Sequence, residues 1–205
     1  MRTPRHAWTV RYYTRLVARH GHSVRALNWG SRRSQRTRFR VLAEIANLSR
    51  RSVLDVGCGL ADLHAWLAKH ARGVRYTGID VTPAMIETAA RRFPHANLRV
   101  ADTAALARRG EGTHDYVLAS GIFSKRRSNS FADMKRCIRQ MYRLARRGVA
   151  FNALSALASG KEKAEFHADP AATLRYCLTL SPWAVLRHDY HPRDFTVYLY
   201  KRRPR

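Results

Sequence analysis

Acidic residues are scarce in this chain. Asp and Glu number 14 against 39 Lys and Arg in 205 residues, for a formal net charge of +25. No acid occurs before Glu44, and Lys is rare beside Arg. So skewed a charge favours polyanions and salt-dependent association, or reflects a compositional bias of the genome. Cysteines are three, Cys58, Cys137 and Cys177, with no Cys-x-x-Cys pair. That excludes a disulfide framework and fits a reducing, cytoplasmic setting. No apolar run is long enough to span a membrane. The N-terminus lacks the apolar core of a signal peptide, and its aromatic content and helical periodicity read as structure rather than as a transit peptide. No His/Cys/Asp/Glu set has metal-ligand spacing. The length suits one α/β domain with a sizeable core.

Because acids are few, their positions carry information. A mostly apolar run, Val53 to Val56, contains Asp55 and ends at Gly57, Cys58 and Gly59. A helical pattern follows, with Leu63, Trp66 and Leu67 on one face and Leu60 before it. Strand, glycine turn and helix bring backbone N–H groups against a nucleotide-like ligand at a strand's C-terminal end. Tyr76 to Asp80 is a second short strand ending in an acid, at the spacing where a Rossmann-type fold places a ribose-binding carboxylate. Val81 and the pair Thr82-Pro83 start a helix, Thr as N-cap and Pro at its first position, with Met85, Ile86, Ala89 and Ala90 apolar. Asn97 to Asp102 is a third strand ending in Asp, with Thr103 after it. Asp115 to Gly121 is a fourth, ending in Ser120-Gly121.

These four signals resemble the class I S-adenosylmethionine (SAM) dependent methyltransferases over residues 40 to 200. The family's Asp/Glu-x-Gly-x-Gly-x-Gly motif is met by Asp55, Gly57 and Gly59, and its third glycine is Ala61 here. The resemblance implies a three-layer Rossmann-like α/β sandwich whose mostly parallel seven-stranded sheet ends in an antiparallel hairpin. It implies SAM as cofactor, with Asp80 on the ribose hydroxyls and Asp102 facing the adenine amino group, the Thr103 backbone nearby. Ser120 and Gly121 would lie by the methionine part and the sulfonium. Asp55, Cys58, Val81 and Met85 complete the expected cofactor set. Independently of the resemblance, Asp62 disfavours a dinucleotide: the Gly-x-Gly-x-x-Gly turn needs Gly or Ala there, and a carboxylate would repel a pyrophosphate.

The remaining pattern gives organisation. Residues 1–33 read as a helical extension and substrate lid, residues 34–205 as the methyltransferase domain. Tyr12, Tyr13, Leu16 and Val17 form a helical stripe ended by Gly21, and Asn28 to Ser31 is a loop. A helix capped by Ser31 or Ser34 presents Phe39, Leu42, Ile45 and Ala46. Its Arg32, Arg33, Arg36, Arg38 and Arg40, with Trp29 before them, read as a solvated basic face, with nucleic-acid binding as the alternative. Phe131 to Arg146 reads as a helix ended by Gly148, and Val149 to Leu154 as the fifth strand. Asp169-Pro170 caps a further helix. Trp183 to His188 and Phe195 to Tyr200 are the last strands, antiparallel across a short connection.

Three connections reach the carboxyl edge of the sheet without being needed for the cofactor: Ile122 to Ser130 with Lys125, Arg126 and Arg127; Ser155 to Asp169 with Lys161, Lys163 and His167; and the Tyr190–Arg193 turn. Methyl transfer gains most from proximity and orientation. If a base is needed, His167, His191 or Tyr190 are the candidates, with Asp194 as orienter. After the fourth strand the chain lacks the Asn/Asp-Pro-Pro-Tyr motif of exocyclic-amine enzymes and the Pro-Cys of cytosine C5 enzymes. The fourth-strand Asp of ribose 2′-hydroxyl enzymes is missing too. What remains is metal-independent transfer to O, N or C of a small molecule, glycan or lipid-linked acceptor. The alternative is an RNA methyltransferase or a non-catalytic RNA-binding protein on the same scaffold. Oligomeric state is not legible.

Overall fold

The computed structural model describes residues 6–28, 30–126 and 129–204. Trp29 and Arg127 lie outside them. Seven strands form one sheet: β1 (Ser52–Val56), β2 (Arg75–Asp80), β3 (Asn97–Val100), β4 (His114–Ala119), β5 (Ala145–Leu154), β6 (Ala184–Arg187) and β7 (Asp194–Tyr200). Their order is β3-β2-β1-β4-β5-β7-β6. The first five run parallel, and β7 pairs antiparallel with both β5 and β6. Among the described residues seven helices accompany them: α1 (Ala7–His20), α2 (Arg32–Ala43), α3 (Asp62–His70), α4 (Pro83–Arg92), α5 (Thr103–Ala107), α6 (Ser130–Leu144) and α7 (Pro170–Leu178), with a 3-10 turn at Val24–Leu27. This is the Rossmann-like sandwich with a terminal antiparallel hairpin.

The two faces of the sheet follow from strand alternation. Leu54, Val117 and Val149 point to one side, where Met134, Ile138 and Met141 of α6 cover them. Val53, Tyr116 and Leu118 point to the other, against Phe39 and Leu42 of α2 and Leu63 and Leu67 of α3. Helix starts follow local chemistry. Ser31 caps α2 by accepting the Ser34 N–H, and Asp169 caps α7 by accepting the Ala172 N–H, with Pro170 next. Thr82 takes the N-cap position of α4 but makes no side-chain cap bond; its N–H donates to Asp80 Oδ1 at 2.8 Å instead.

Two expectations change. Gly148 does not end α6: the helix stops at Leu144, and β5 already begins at Ala145, held by register with His114 of β4. Gly148 sits inside that strand, where a Cβ would lie 3.1 Å from the Leu199 carbonyl. Arg38 is no part of a solvated face. It is 6% exposed and ion-paired with Asp194 of β7, which ties α2 to the terminal hairpin.

Leu54, fully buried in the central strand, should dominate stability. Leu54→Ala is expected to cost about 2–5 kcal/mol, read from urea denaturation; a loss below 1 kcal/mol, roughly a single methylene's worth, would mean that this face is loosely packed.

Candidate cofactor and acceptor site

The site begins where β1 runs out. Gly57 and Gly59 have φ of 71° and 53°, so the chain turns back through the left-handed region at both. The Gly57 and Cys58 N–H groups both donate to the Ile79 carbonyl of β2, at 2.8 and 3.0 Å. The Gly59 N–H donates to Asp80 Oδ2 at 3.1 Å. The turn after β1 is thereby tied to the end of β2. Ala61, where a third glycine was expected, also adopts φ 58° and begins α3. An L-residue pays for this conformation, on the order of 1–2 kcal/mol.

A cavity of about 570 Å³ opens above these strand ends. Every residue of the expected cofactor set lines it: Asp55, Gly57, Cys58 and Gly59 from β1 and its turn; Asp80, Val81 and Met85 after β2; Asp102 and Thr103 after β3; Ser120 and Gly121 after β4. Asp55 is buried, and Tyr76 donates its hydroxyl to it at 2.7 Å. Burial, with Asp80 and Asp62 nearby, pushes Asp55 up to about 7. Burial raises Asp80 as well, against the backbone N–H groups that it accepts. Neither carboxylate has a cationic partner among the described residues. An organic cation would complete them. SAM, with its ammonium and sulfonium and no phosphate, fits that donor set.

Asp102 is already engaged. Its Oδ1 caps α5 by accepting the Ala105 N–H at 2.7 Å, and its Oδ2 lies 3.3 Å from His6 Nε2. The Thr103 hydroxyl donates to Gln140 Oε1 at 2.6 Å, and both residues line the cavity. Asp62 pairs with Arg92 at 2.5 Å and accepts from Gln35 at 3.1 Å. Its charge is therefore compensated, which weakens the electrostatic argument that it repels a pyrophosphate.

The N-terminal segment covers the cofactor end. Leu27 sits where a Gly59 Cβ would be, 2.5 Å from that position. Tyr13, Val17 and Leu27 pack on Leu60 and Met85. Burial beside Asp80 drives the Tyr13 hydroxyl upward.

The other end of the cavity is walled by the three connections singled out in the sequence. Phe166 N–H donates to Ser124 O at 2.9 Å and Arg126 N–H to Ala164 O at 3.0 Å, zipping the first two together. Arg193 joins the third through an ion pair with Glu165 and a carbonyl that accepts the Ser155 N–H at 2.8 Å. Of the three base candidates, His191 lines the cavity, and His167 and Tyr190 do not. His167 packs behind the wall, 3.2 Å from Glu165. Tyr190 places its hydroxyl 2.7 Å from Thr196 Oγ1. His191 Nδ1 lies 3.1 Å from Asp194 Oδ2, and its Nε2 lies 3.1 Å from Ser34 Oγ. Burial lowers the His191 pKa, and the nearby Arg38 guanidinium adds to this, so the neutral ring is favoured.

Sequence reading missed Asn152. It is 2% exposed on β5, donates to Ser120 Oγ at 3.2 Å and accepts the Gly121 N–H at 2.8 Å, fixing the turn after β4. The signal was a lone amide inside an apolar strand, which must find partners when buried.

A methyltransferase-domain family model matches residues 54–151. The Mycobacterium tuberculosis protein Rv1506c, named as a candidate methyltransferase, is 32% identical over 158 residues, covering 73% of this chain and 93% of that protein. The chain belongs to the class I SAM-dependent methyltransferases. SAM is the methyl donor of this methyltransferase. Trans-aconitate 2-methyltransferase of Delftia acidovorans is 34% identical over 90 residues, 42% of this chain and 34% of its own length. Among solved structures, 1,6-didemethyltoxoflavin-N1-methyltransferase of Burkholderia thailandensis superposes with a TM-score of 0.66 at 14% identity, covering 98% of this chain and 91% of that chain.

Asp55 gives the site a pH dependence. In the unfolded chain an Asp titrates near 3.9; folded, Asp55 titrates at about 7. Between these values the folded protein holds a proton that the unfolded one has released, so the ligand-free protein loses stability as pH rises through that window. A bound cation favours the ionised form. SAM affinity by calorimetry is therefore expected to rise by up to about tenfold from pH 6 to pH 8, and to be flatter in Asp55→Asn. Equal slopes in both proteins would take Asp55 out of the linkage.

Proposed function

We propose that this methyltransferase moves the methyl of SAM to an O, N or C of a small molecule that shares the cavity with the cofactor. The observation that carries this reading is the joining of two half-sites in one space. The acid-lined strand ends that suit a cationic cofactor and the three connections left over for the acceptor line the same cavity. Its volume of about 570 Å³ lies within the roughly 300–1,000 Å³ of small-molecule sites. The acceptors named for the trans-aconitate and didemethyltoxoflavin enzymes are likewise small molecules. Among the described residues no group of three or more His, Cys, Asp or Glu is arranged to hold a metal ion, and the proposed transfer draws on residues of this chain alone.

In this reading Asp80 takes the ribose hydroxyls, Asp102 faces the adenine, and Asp55 with the glycine turn supports the cationic amino-acid end of SAM. Ser120 and Gly121, held by Asn152, sit beside the sulfonium. Residues 1–33 serve as a lid over a domain spanning residues 34–205. SAM supplies the electrophilic methyl; the protein aligns the acceptor with it and excludes water, which provides most of the rate. Where the acceptor must lose a proton, His191 is the base. Its Nδ1 accepts the Arg193 N–H at 3.1 Å, which leaves the neutral ring's proton on Nε2, 3.1 Å from Ser34 Oγ. To act as base the ring moves that proton to Nδ1, 3.1 Å from Asp194 Oδ2, and Nε2 then takes one from the acceptor directly or through the Ser34 hydroxyl.

Calorimetric titration with SAM, S-adenosylhomocysteine (SAH) and NAD tests the cofactor assignment. The first two should bind and NAD should not. Asp80→Ala should weaken SAM by about 1.5–3 kcal/mol for each charge-assisted bond lost; unchanged affinity would remove Asp80 from the ribose site. For any acceptor that turns over, His191→Gln should lower kcat by about 10²–10⁴ and leave SAM affinity alone, while an unaltered kcat would show that no base acts there.

A further inference from the structure

The charges that line the cavity are unevenly distributed. Asp55, Asp62, Asp80 and Asp102 come from the ends of β1, β2 and β3 and the start of α3. Arg38, Arg193 and Lys125 come from α2 and the connections, with Asp194, Glu165 and Asp133. The charges of this second group do not cancel. Arg38 pairs with Asp194, Arg193 with Glu165 and Asp133 with Arg136, which leaves Lys125. Its Nζ sits over the Tyr12 ring, 5.1 Å from the centroid, and it has no carboxylate partner among the described residues. Arg193 contributes a second signal. Its Nε is buried and finds no acceptor among the described residues, although its terminal nitrogen is held by Glu165. A buried guanidinium donor without an acceptor is costly, and an incoming oxygen would relieve it. Lys125 and Arg193 belong to different connections, but both are tied to Glu165 of the connection between them, Lys125 by a strand-like bridge and Arg193 by an ion pair.

From this geometry we infer that the acceptor carries an anionic oxygen group, a carboxylate or a phosphate, which Lys125 and Arg193 hold in the cavity. The inference rests on the small-molecule reading above and narrows it to a chemical class. Lys125 supplies the uncompensated charge. Arg193, fixed by Glu165, supplies directional donors, and its planar fork suits either oxyanion. The anion would also leave the acceptor's reacting atom pointing back toward the strand-end acids, where the sulfonium belongs. Substrate orientation would then follow from charge alone: the anion cannot settle among Asp55, Asp80 and Asp102, and the cationic cofactor is disfavoured beside Lys125.

The test is calorimetry on the SAH-loaded protein with three probes: citrate, inorganic phosphate and the uncharged triamide of citrate. The anions should bind and the triamide should not. Citrate binding alone would assign a carboxylate, phosphate binding alone a phosphate, and either supports the inference. Lys125→Met should weaken anion binding by about tenfold or more without changing SAH affinity. Arg193→Gln should weaken it too, and Arg193→Lys should recover part of the loss. Lys125 is partly exposed on a loop, so its variant remains informative if the Arg193 variants fold poorly. Failure of both anions to bind overturns the inference. So does binding that is undiminished in Lys125→Met and Arg193→Gln, since it would then belong to the general basic surface. A protein that binds no SAH would instead overturn the cofactor-site assignment, which is a distinguishable result.

Discussion

The site depends on one short tether: two consecutive N–H groups of the turn after β1 donating to the Ile79 carbonyl of β2, with the next glycine's N–H taken by Asp80. A parallel sheet leaves the ends of neighbouring strands splayed and their last backbone groups unpaired. Here the turn itself spends its donors on the neighbouring strand. That holds the left-handed backbone at Gly57 and Gly59 in place and orients Asp80. The N-terminal segment then closes over the same point, with Leu27 filling the space that a side chain at Gly59 would need. Strand end, turn, carboxylate and N-terminal segment pack as one unit.

Much of this was legible because acids are rare in the chain. In a sequence with balanced charge, Asp80 and Asp102 would be ordinary turn residues. Here an acid at a strand end stands out, and the glycine turn gives it a context. Other features were not legible, for identifiable physical reasons. Ala145 to Gly148 reads as a frayed helix end because two arginines and a glycine suit that role; pairing with β4 overrides the local preference. Arg38 was hidden among four other arginines, and only tertiary structure supplies the Asp194 that makes its burial tolerable. His167 and Tyr190 share loops with cavity residues, but neighbours in sequence on a loop can point to opposite sides of a wall. Asn152 left a signal that could have been used: an amide has no reason to sit in an apolar strand unless something waits for it.

The excess of arginine acquires different meanings at different depths. On the outside it is a diffuse field. Where elements meet, particular guanidinium groups have specific counterparts: buried Arg38 with Asp194, half-buried Arg193 with Glu165, and Arg92 at the surface with Asp62. These pairs bridge α2 to β7, the loop after β5 to the terminal hairpin, and α4 to α3. Several of the few acids line the cavity or anchor one element to another, and the net charge of the molecule says little about the local potential there.

The pairing of β5 with β7 places Asn152 directly opposite Thr196. Asn152 holds the turn after β4, and Thr196 holds Tyr190 beside His191 in the turn before β7. One rung of the β-ladder thus sets these two turns against each other. A slip of one residue would turn Asn152 to the opposite face and shift the hairpin by one ladder step. The connections that wall the cavity can consequently vary in sequence, whereas the hairpin register cannot slip without parting the two turns that it aligns.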